Sequence, residues 1–220
     1  MKLRLAFFFV FLVTLLIFTF TSYTVAKEMW TQWDFDTTVK LQDRIPTRYD
    51  NEFSIFSLLG SAEVTISITF VMILLAFLKL RFWAIIGWLM IVPATIIEIF
   101  GKLVLYHPGT PVFMHRSVIE THLPSFYIHT NFSYPSGHVT RTFFLITTFG
   151  LLIFFSSVNT FIKLISLAVL LGFAILMALT RVSLGEHWLS DVVGGGMLGI
   201  SFGFLAVSLI LSKRHIERVI

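Results

Sequence analysis

Six long apolar segments constrain this chain more than any other feature of its sequence. Each is about twenty residues long, the length that an α-helix needs to cross about 30 Å of hydrocarbon. Only helices and closed barrels satisfy all of their backbone hydrogen bonds inside a bilayer, and apolar runs of this length are typical of helices. The sequence therefore predicts an all-α, polytopic membrane protein in which residues 1–220 form one bundle of six transmembrane helices, at about 5–26, 54–78, 82–101, 138–158, 160–180 and 190–211.

The composition supports this fold class and excludes several functions. Hydrophobic residues make up 56% of the chain and charged residues only 13%, whereas a soluble domain is about 25% charged. The sequence contains no cysteine, which excludes disulfides, thiol catalysis and cysteine-based zinc sites. The formal charge of +4 is small and dispersed, so nucleic acid is not an expected partner; Lys and Arg residues flanking the membrane spans explain it better.

Two segments near the start of the chain permit more than one interpretation. Residues 1–26 have a basic start, an apolar run and small residues at their end, as a secretory signal peptide does. The apolar run is long for a signal peptide, which favours a retained span. Residues 27–53 are polar but contain Trp30 and Trp33, which is typical of a helix lying at the level of the lipid headgroups. A plain connecting loop is the alternative.

The segment Arg181-Val-Ser-Leu-Gly-Glu-His187-Trp-Leu-Ser-Asp191 places chemically active residues between two apolar runs. His187 and Asp191 are four residues apart, so on a helix they would share one face. The carboxylate would then accept the second N–H of the imidazole and leave the other ring nitrogen free to attack. Arg181 offers a cationic fork suited to phosphate. A helix-start pair or a fragment of a metal site would have the same His–Asp spacing.

A second polar motif, Tyr134-Pro135-Ser136-Gly137-His138, stands directly before the fourth apolar run. The backbone N–H groups of Ser136, Gly137 and His138 would lie at the start of a helix, where anions bind readily. Serine, glycine and proline are also ordinary residues before a helix. Both motifs and Lys102 nevertheless lie at span ends that six crossings bring to one membrane face. The sequence thus predicts a phosphoryl-transfer site at a membrane boundary.

These residues also resemble a known family, the type-2 phosphatidic acid phosphatase superfamily. Arg181, His187 and Asp191 resemble its third signature, and Pro135-Ser136-Gly137-His138 resembles its second, in the correct order. The superfamily includes membrane lipid phosphatases and soluble vanadium haloperoxidases, and the resemblance covers roughly residues 54 to 211. It implies the membrane lipid phosphatase branch, related to undecaprenyl-diphosphatases and phosphatidylglycerophosphatases, which uses no metal or other cofactor.

The resemblance also implies roles for individual residues. His187 would be the nucleophile and form a phosphohistidine, while Asp191 holds its ring. His138 would protonate the leaving oxygen and then activate water. The residues expected to bind phosphate are Lys102, Ser136, Gly137, Arg181 and, with the qualification below, Arg141. No metal ligand is expected; His107, His115, His122 and His129 are scattered evenly through a loop without a nearby carboxylate cluster, which disfavours zinc.

The sequence departs from the family at its first signature. There a lysine is followed, after six residues, by Arg-Pro, whereas here Lys102 is followed by Leu-Val-Leu-Tyr-His-Pro and then by Gly109-Thr110-Pro111. The expected arginine is missing. Arg116, in the loop, and Arg141, three residues after His138, are its possible replacements.

We expect Arg141 to serve the phosphate site, because it would lie on the His138 face within the first turn of the fourth span. Its contact would be direct or through one of two intramembrane carboxylates, Glu63 and Glu98. The alternative is that Arg141 only pairs with one of these carboxylates and holds the bundle together, since a buried arginine requires a partner. Glu98 and Lys102, at positions i and i+4, are also a natural pair.

The distribution of basic residues predicts the orientation of the bundle. Six spans place both termini on one side, and that side receives Lys2, Arg4, Lys79, Arg81, Lys163, Lys213, Arg214 and Arg218. Four of the eight basic residues on the other side belong to or lie near the predicted site. The positive-inside rule then places the termini in the cytoplasm and the site at the outer face of the plasma membrane.

The predicted function is hydrolysis of a lipid phosphate or diphosphate, as a phosphoric monoester or diphosphate hydrolase. Undecaprenyl diphosphate, phosphatidylglycerol phosphate and phosphatidic acid are the substrates to consider. A phosphotransferase that passes the phosphoryl group to another lipid is one alternative. A non-catalytic phospholipid-binding or scrambling protein of the same fold is another, and the loss of His187 or His138 would mark it; both are present.

Overall fold

The fold is a bundle of helices, seen in a computed structural model that describes residues 2–119 and 132–211. Within these ranges all regular structure is helical, which confirms the predicted fold class. The α-helices are α1 (Lys2–Ala26), α2 (Thr31–Arg44), α3 (Asp50–Ser57), α4 (Ala62–Leu78), α5 (Phe82–Leu89), α6 (Ile91–Val104), α7 (Gly137–Phe154), α8 (Thr160–Ser183) and α9 (Leu189–Ile210).

Six helical segments in the described ranges are long and apolar enough to cross a membrane, in agreement with the six predicted spans. They are Lys2–Ala26, Thr47–Leu78, Phe82–Val104, Gly137–Phe154, Thr160–Ser183 and Leu189–Ile210. The fourth ends four residues before the predicted position 158, because Ser156 and its neighbours form the turn into α8. The third is divided into α5 and α6, with Pro93 in the first turn of α6, where its missing N–H costs little.

Helix α9 is the centre of the bundle and packs closely on α7. A Cβ atom added at Gly195 would overlap the backbone oxygen of Ser136, and one added at Gly199 would overlap that of Thr140. Small residues allow such close approach between membrane helices. Glycine at these positions of the sixth span therefore permits the close packing, and this contact fixes the start of α7 beside the start of α9.

Basic side chains cap the opposite end of α9. The Arg4 guanidinium donates to the carbonyl oxygen of Leu211, and Arg81 Nη2 donates to the carbonyl oxygen of Ile210 over 3.1 Å. Cations are favourable at a helix C-terminus because its last carbonyl groups lack intrahelical partners. Two of the basic residues that predicted the inner face thus lie at the end of the bundle away from His187.

The polar segment after α1 contains a helix, α2, so the helical interpretation of residues 27–53 is correct and the plain loop is wrong. Trp30 Nε1 donates to Thr24 Oγ1 over 2.9 Å and ties the turn before α2 to the end of α1. On α2 itself, Asp34 is only 2% exposed, whereas Trp33 is 69% exposed. Helix α2 therefore presents an acidic side chain to the interior of the protein.

The loop after α6 lies over the short segment that joins α8 to α9. Thr110 Oγ1 donates to the carbonyl oxygen of Gly185, and Trp188 Nε1 donates to that of Pro108 over 2.9 Å. Gly185 has a φ of +66°, and a Cβ atom there would overlap the carbonyl group of Met114. Glycine meets both requirements, so the loop approaches the residues around His187 closely.

Candidate active site

The central pair of the site is His187 and Asp191. His187 Nδ1 lies 3.0 Å from Asp191 Oδ2, and the same oxygen accepts the backbone N–H of Trp188 over 3.0 Å. His187 precedes α9 rather than lying on it, so the expectation that one helix carries both residues is wrong. Asp191 lies in the first turn of α9, and its carboxylate turns back to cap the helix start. His187 Nε2 forms no hydrogen bond with a described residue.

The surroundings of His187 favour its neutral form. Burial, and then the charges of Arg181 and Lys102, hold the pKa of His187 well below its usual value. A neutral imidazole that donates from Nδ1 to a carboxylate has a lone pair on Nε2. The pair therefore has the geometry and the protonation state of an activated nucleophile.

The start of α7 lies beside this pair, although not all of its N–H groups are free. The backbone N–H of Ser136 donates to the carbonyl oxygen of Asp191 over 3.0 Å, so this N–H group already has an acceptor. The N–H groups of Gly137 and His138 have no acceptor among the described residues. The hydroxyl of Ser136 does not cap its own helix and is buried with no hydrogen-bond partner in the described part of the chain. These three groups remain available to an anion.

Glu98 pairs with two basic side chains, Lys102 of α6 and Arg141 of α7. Its Oε1 lies 2.9 Å from Lys102 Nζ, and its Oε2 lies 3.0 Å from Arg141 Nη1. The predicted pairing of Glu98 with Lys102 is confirmed, and Arg141 pairs with Glu98 rather than with Glu63. A Cβ atom at Gly137 would overlap the Glu98 carboxylate. Glycine at this position therefore permits the close approach of the three charged side chains to α7.

Arg181 is held at the end of α8 by two polar partners. Its Nη2 pairs with the carboxylate of Glu186, and its Nη1 donates to Ser57 Oγ. Its side chain is buried, and Nε has no partner among the described residues. Burial alone would raise the pKa of Glu186. The charge of Arg181 and the hydrogen bond from the Ser117 hydroxyl together have a greater effect, so the pKa is lowered. One nitrogen of the guanidinium thus remains unused.

Buried polar atoms without a partner are concentrated on the predicted phosphate ligands. Three of the five such side-chain atoms in the described part of the chain belong to this set: Ser136 Oγ, Arg141 Nε and Arg181 Nε. A fourth, Nε2 of His138, belongs to the predicted acid and base. His138 lies within electrostatic range of Arg181, Arg141, His187 and Lys102. Buried polar groups are normally hydrogen-bonded, so this cluster has the donors that an oxyanion would satisfy.

Arg116, the other candidate for the missing arginine, is occupied elsewhere. Its Nη2 lies 2.9 Å from Asp50 Oδ1, and it donates to the carbonyl oxygens of Gln42 and Ile45 over 3.0 Å. Its Nε donates to Asp50 Oδ2 over 3.0 Å, so all three nitrogens of the guanidinium are used. These bonds tie the loop after α6 to α2 and α3. The geometry therefore favours Arg141 over Arg116 as the third cation near the phosphate ligands.

Asp34 and His107 contact Asp191 and its neighbour Ser190 from behind the pair, and neither residue belongs to the sequence motifs. Asp34 accepts the backbone N–H and the hydroxyl of Ser190 over 2.8 and 2.7 Å. His107 Nε2 lies 3.0 Å from Ser190 Oγ and 3.4 Å from Asp191 Oδ1. Burial raises the pKa of Asp34 to about 6 and lowers that of His107. Asp34 lies more than 150 residues before Asp191, so only the fold connects them.

The loop histidines do not form a metal site in the described part of the chain. No group of three or more His, Asp or Glu residues there is arranged to hold a metal ion. His115 Nε2 lies 3.0 Å from Thr110 Oγ1, away from His107 and its partners. His122 and His129, the other two residues of the zinc hypothesis, lie outside the described residues.

Comparisons with known proteins agree with the motifs and the fold. The model of the PAP2 superfamily matches residues 110–214. A transmembrane PAP2-type phosphatidylglycerolphosphate phosphatase from Bacillus subtilis has a similar structure, with a TM-score of 0.70 and 17% identity over 96% of this chain and 97% of the other. LpxE from Aquifex aeolicus has a TM-score of 0.57 and 21% identity over 79% and 94% of the two chains. No match was found among curated proteins. The match to the PAP2 superfamily model over residues 110–214, with the shared fold, confirms the family resemblance predicted from the two signatures.

Proposed function

We propose that this protein is an integral-membrane lipid phosphatase that acts through a phosphohistidine intermediate. One observation carries the proposal: among the described residues His187 Nε2 has no hydrogen-bond partner while Nδ1 lies 3.0 Å from Asp191, and buried polar atoms of Ser136, Arg141 and Arg181 have no partner there either. Arg181 and Lys102 lie within electrostatic range of His187. A nucleophile beside a set of vacant anion donors is the arrangement that phosphoryl transfer requires.

The reaction consists of two displacements at phosphorus. In the first, the lone pair of His187 Nε2 forms a P–N bond as the P–O bond to the lipid breaks, and His138 gives its proton to the leaving oxygen. In the second, His138 removes a proton from water, the oxygen attacks phosphorus, and the P–N bond breaks to release inorganic phosphate. Lys102, Arg141 and Arg181 stabilise the charge on the equatorial oxygens in both transition states.

The proposed substrate is a lipid phosphate or diphosphate in the outer leaflet of the plasma membrane. Arg4 and Arg81 lie at the end of α9 away from His187, and basic residues favour the cytoplasmic side. The similarity to a phosphatidylglycerolphosphate phosphatase makes phosphatidylglycerol phosphate one substrate to test. Undecaprenyl diphosphate and phosphatidic acid are the others, since the donors recognise the terminal phosphate group that all three lipids carry.

The test is phosphate release by the purified protein in detergent, with EDTA present, from each of these three lipids. We expect release from at least one, and trapping of an acid-labile, base-stable phosphoprotein after rapid quenching with labelled substrate. His187→Gln should abolish both, whereas His115→Gln, at a histidine whose hydrogen-bond partner is Thr110 rather than either member of the pair, should retain both. No release from any lipid, or activity that EDTA removes, contradicts the proposal. Transfer of phosphate to an added lipid alcohol in preference to water indicates a phosphotransferase.

A further inference from the structure

A chain of hydrogen-bonding groups connects α2 to the catalytic pair. It consists of Asp34, Ser190, His107 and Asp191, and we refer to it as the relay. Asp34 holds both the N–H and the hydroxyl of Ser190, over 2.8 and 2.7 Å. The Ser190 hydroxyl lies 3.0 Å from His107 Nε2, which lies 3.4 Å from Asp191 Oδ1. We propose that Asp34 and His107 are positioning residues that set the orientation and basicity of His187 through Asp191.

The two oxygens of Asp191 have separate partners, and this division is the basis of the proposal. Oδ2 faces His187 and the backbone of Trp188, whereas Oδ1 faces His107 and the Ser133 hydroxyl, the latter at 3.3 Å. A group that holds Oδ1 fixes the plane of the carboxylate and therefore the direction of Oδ2. Such outer partners orient a functional imidazole and tune its basicity.

Burial makes the relay more than a surface contact. Asp191 and Ser190 are fully buried, Asp34 is 2% exposed and His107 is 9% exposed. Electrostatic and hydrogen-bond effects are stronger in such an environment than in water. Asp34 belongs to α2, which lies outside both signature motifs, so the relay extends the catalytic machinery to a helix that the motifs do not include.

A purely structural role is the competing explanation, because Asp34 also caps the first turn of α9. The two roles differ in what they change. A cap lost from α9 lowers the stability of the protein, whereas a positioning role lowers kcat and leaves KM nearly unchanged in a protein at least as stable as the wild type. Asp34→Asn keeps the size of the side chain and an acceptor for the N–H of Ser190 but removes the charge. Ser190→Ala keeps that N–H and removes the hydroxyl that bridges to His107.

The experiment compares these variants with the wild type in detergent, and this arm rests on the proposed function. The matched control is Asp43→Asn, which makes the same charge change at an exposed position of α2. We expect Asp34→Asn and His107→Gln each to lower kcat by about 10-fold to 100-fold with KM within about twofold, as for other outer-shell partners. The double variant should be no slower than the slower single one within about threefold, because both act through Asp191. A kcat for Asp34→Asn equal to that of Asp43→Asn, or losses that multiply, overturns the relay.

A second arm does not depend on activity. The proton on His187 Nδ1 faces a carboxylate, so its resonance should appear at low field in the NMR spectrum and disappear in His187→Gln. Asp34→Asn and Ser190→Ala should shift this resonance, and Asp43→Asn should not. If the wild type releases no phosphate, the proposed function fails, and this arm alone decides the relay: an unchanged resonance in Asp34→Asn overturns it.

Discussion

The most decisive prediction concerns Arg141, because it asks how the site functions without the arginine of the first signature. The change is Arg141→Gln, which keeps most of the side-chain length and removes the charge. Arg141 Nη1 is bonded to Glu98, while its Nε is buried without a partner among the described residues. If the free Nε faces the phosphate, the variant loses one cation that stabilises the transition state. If Arg141 only neutralises Glu98, the variant loses an internal ion pair.

The two roles predict different magnitudes. Removing one preorganised donor from a developing oxyanion typically costs about 10²-fold to 10³-fold in kcat, or about 3–4 kcal/mol. Breaking a buried ion pair costs about 3–5 kcal/mol of stability when the remaining charge has no partner. Glu98 keeps Lys102 at 2.9 Å, so the stability loss of Arg141→Gln should lie below that range. We therefore expect a loss of activity that exceeds the loss of stability.

The assay is a double-mutant cycle of Arg141→Gln and Glu98→Gln, with kcat, KM and melting temperature measured for each variant. A direct role predicts that Arg141→Gln loses at least 100-fold in kcat, that Glu98→Gln loses less than about tenfold, and that the double variant resembles Arg141→Gln. Equal losses in all three variants would mean that Arg141 acts only by holding Glu98.

Arg116→Gln is the control for a general effect of losing an arginine near the site. It should lower the melting temperature, because it leaves Asp50 unpaired, yet keep kcat within about threefold per folded molecule. The reasoning is refuted if Arg116→Gln loses turnover while Arg141→Gln retains it.

Three further predictions follow from the geometry of the site and the distribution of charge. His187→Ala should abolish turnover without unfolding the protein, and Asp191→Asn should retain a small residual kcat, since Asp191 orients the ring but does not attack; wild-type kcat in His187→Ala would contradict the mechanism. The chain has no cysteine, so a cysteine at exposed Val112 should react in intact cells with a membrane-impermeant thiol reagent, and one at Ser157 should not; the reverse pattern would place the site inside. Burial raises the pKa of Asp34 from 3.8 to about 6. The protonated side chain therefore contributes about 3 kcal/mol of stability, which is fully present below pH 3.8 and is lost as the pH rises through about 6. The melting temperature of Asp34→Asn should lack this pH dependence, and a pH profile equal to that of the wild type would show that Asp34 does not cause it.

The fold class could be predicted from sequence because the physical requirement is simple. A membrane helix needs about twenty apolar residues, and each of the six runs meets that requirement. The predicted positions of the helix ends were less accurate where polar residues, rather than hydropathy, determine where a helix begins or ends. The second span is an example: it reaches back to Thr47 as a turn and α3, and Ser61 caps α4 by accepting the N–H of Val64 over 3.3 Å.

The site was predictable only where its residues lie close together in the sequence. His187 and Asp191 are four residues apart, and the structure pairs them as expected. The structure also selects Glu98 as the partner of Arg141, which spacing alone left open. Asp34 and His107 had no sequence signal, because a single acid on a polar helix and a histidine in a loop acquire their partners only when distant segments pack together. Motifs therefore locate the His187–Asp191 pair, and the fold determines what surrounds it.

The last prediction concerns Glu186, because its carboxylate forms an ion pair with Arg181, the arginine proposed to bind phosphate. Arg181 Nη2 pairs with Glu186, which also accepts the hydroxyl of Ser117 from the loop after α6. A phosphate that binds Arg181 must share it with this carboxylate or displace it. Glu186→Gln keeps an acceptor for Ser117 and removes the competing charge.

The side chain of Glu186 is 21% exposed, and a partly exposed ion pair contributes up to about 1 kcal/mol, or about fivefold in affinity. We expect KM and the inhibition constant of inorganic phosphate to fall by up to about fivefold, with kcat nearly unchanged. A rise in both constants in a protein of normal melting temperature would mean that Glu186 orients Arg181 toward the phosphate instead of competing with it.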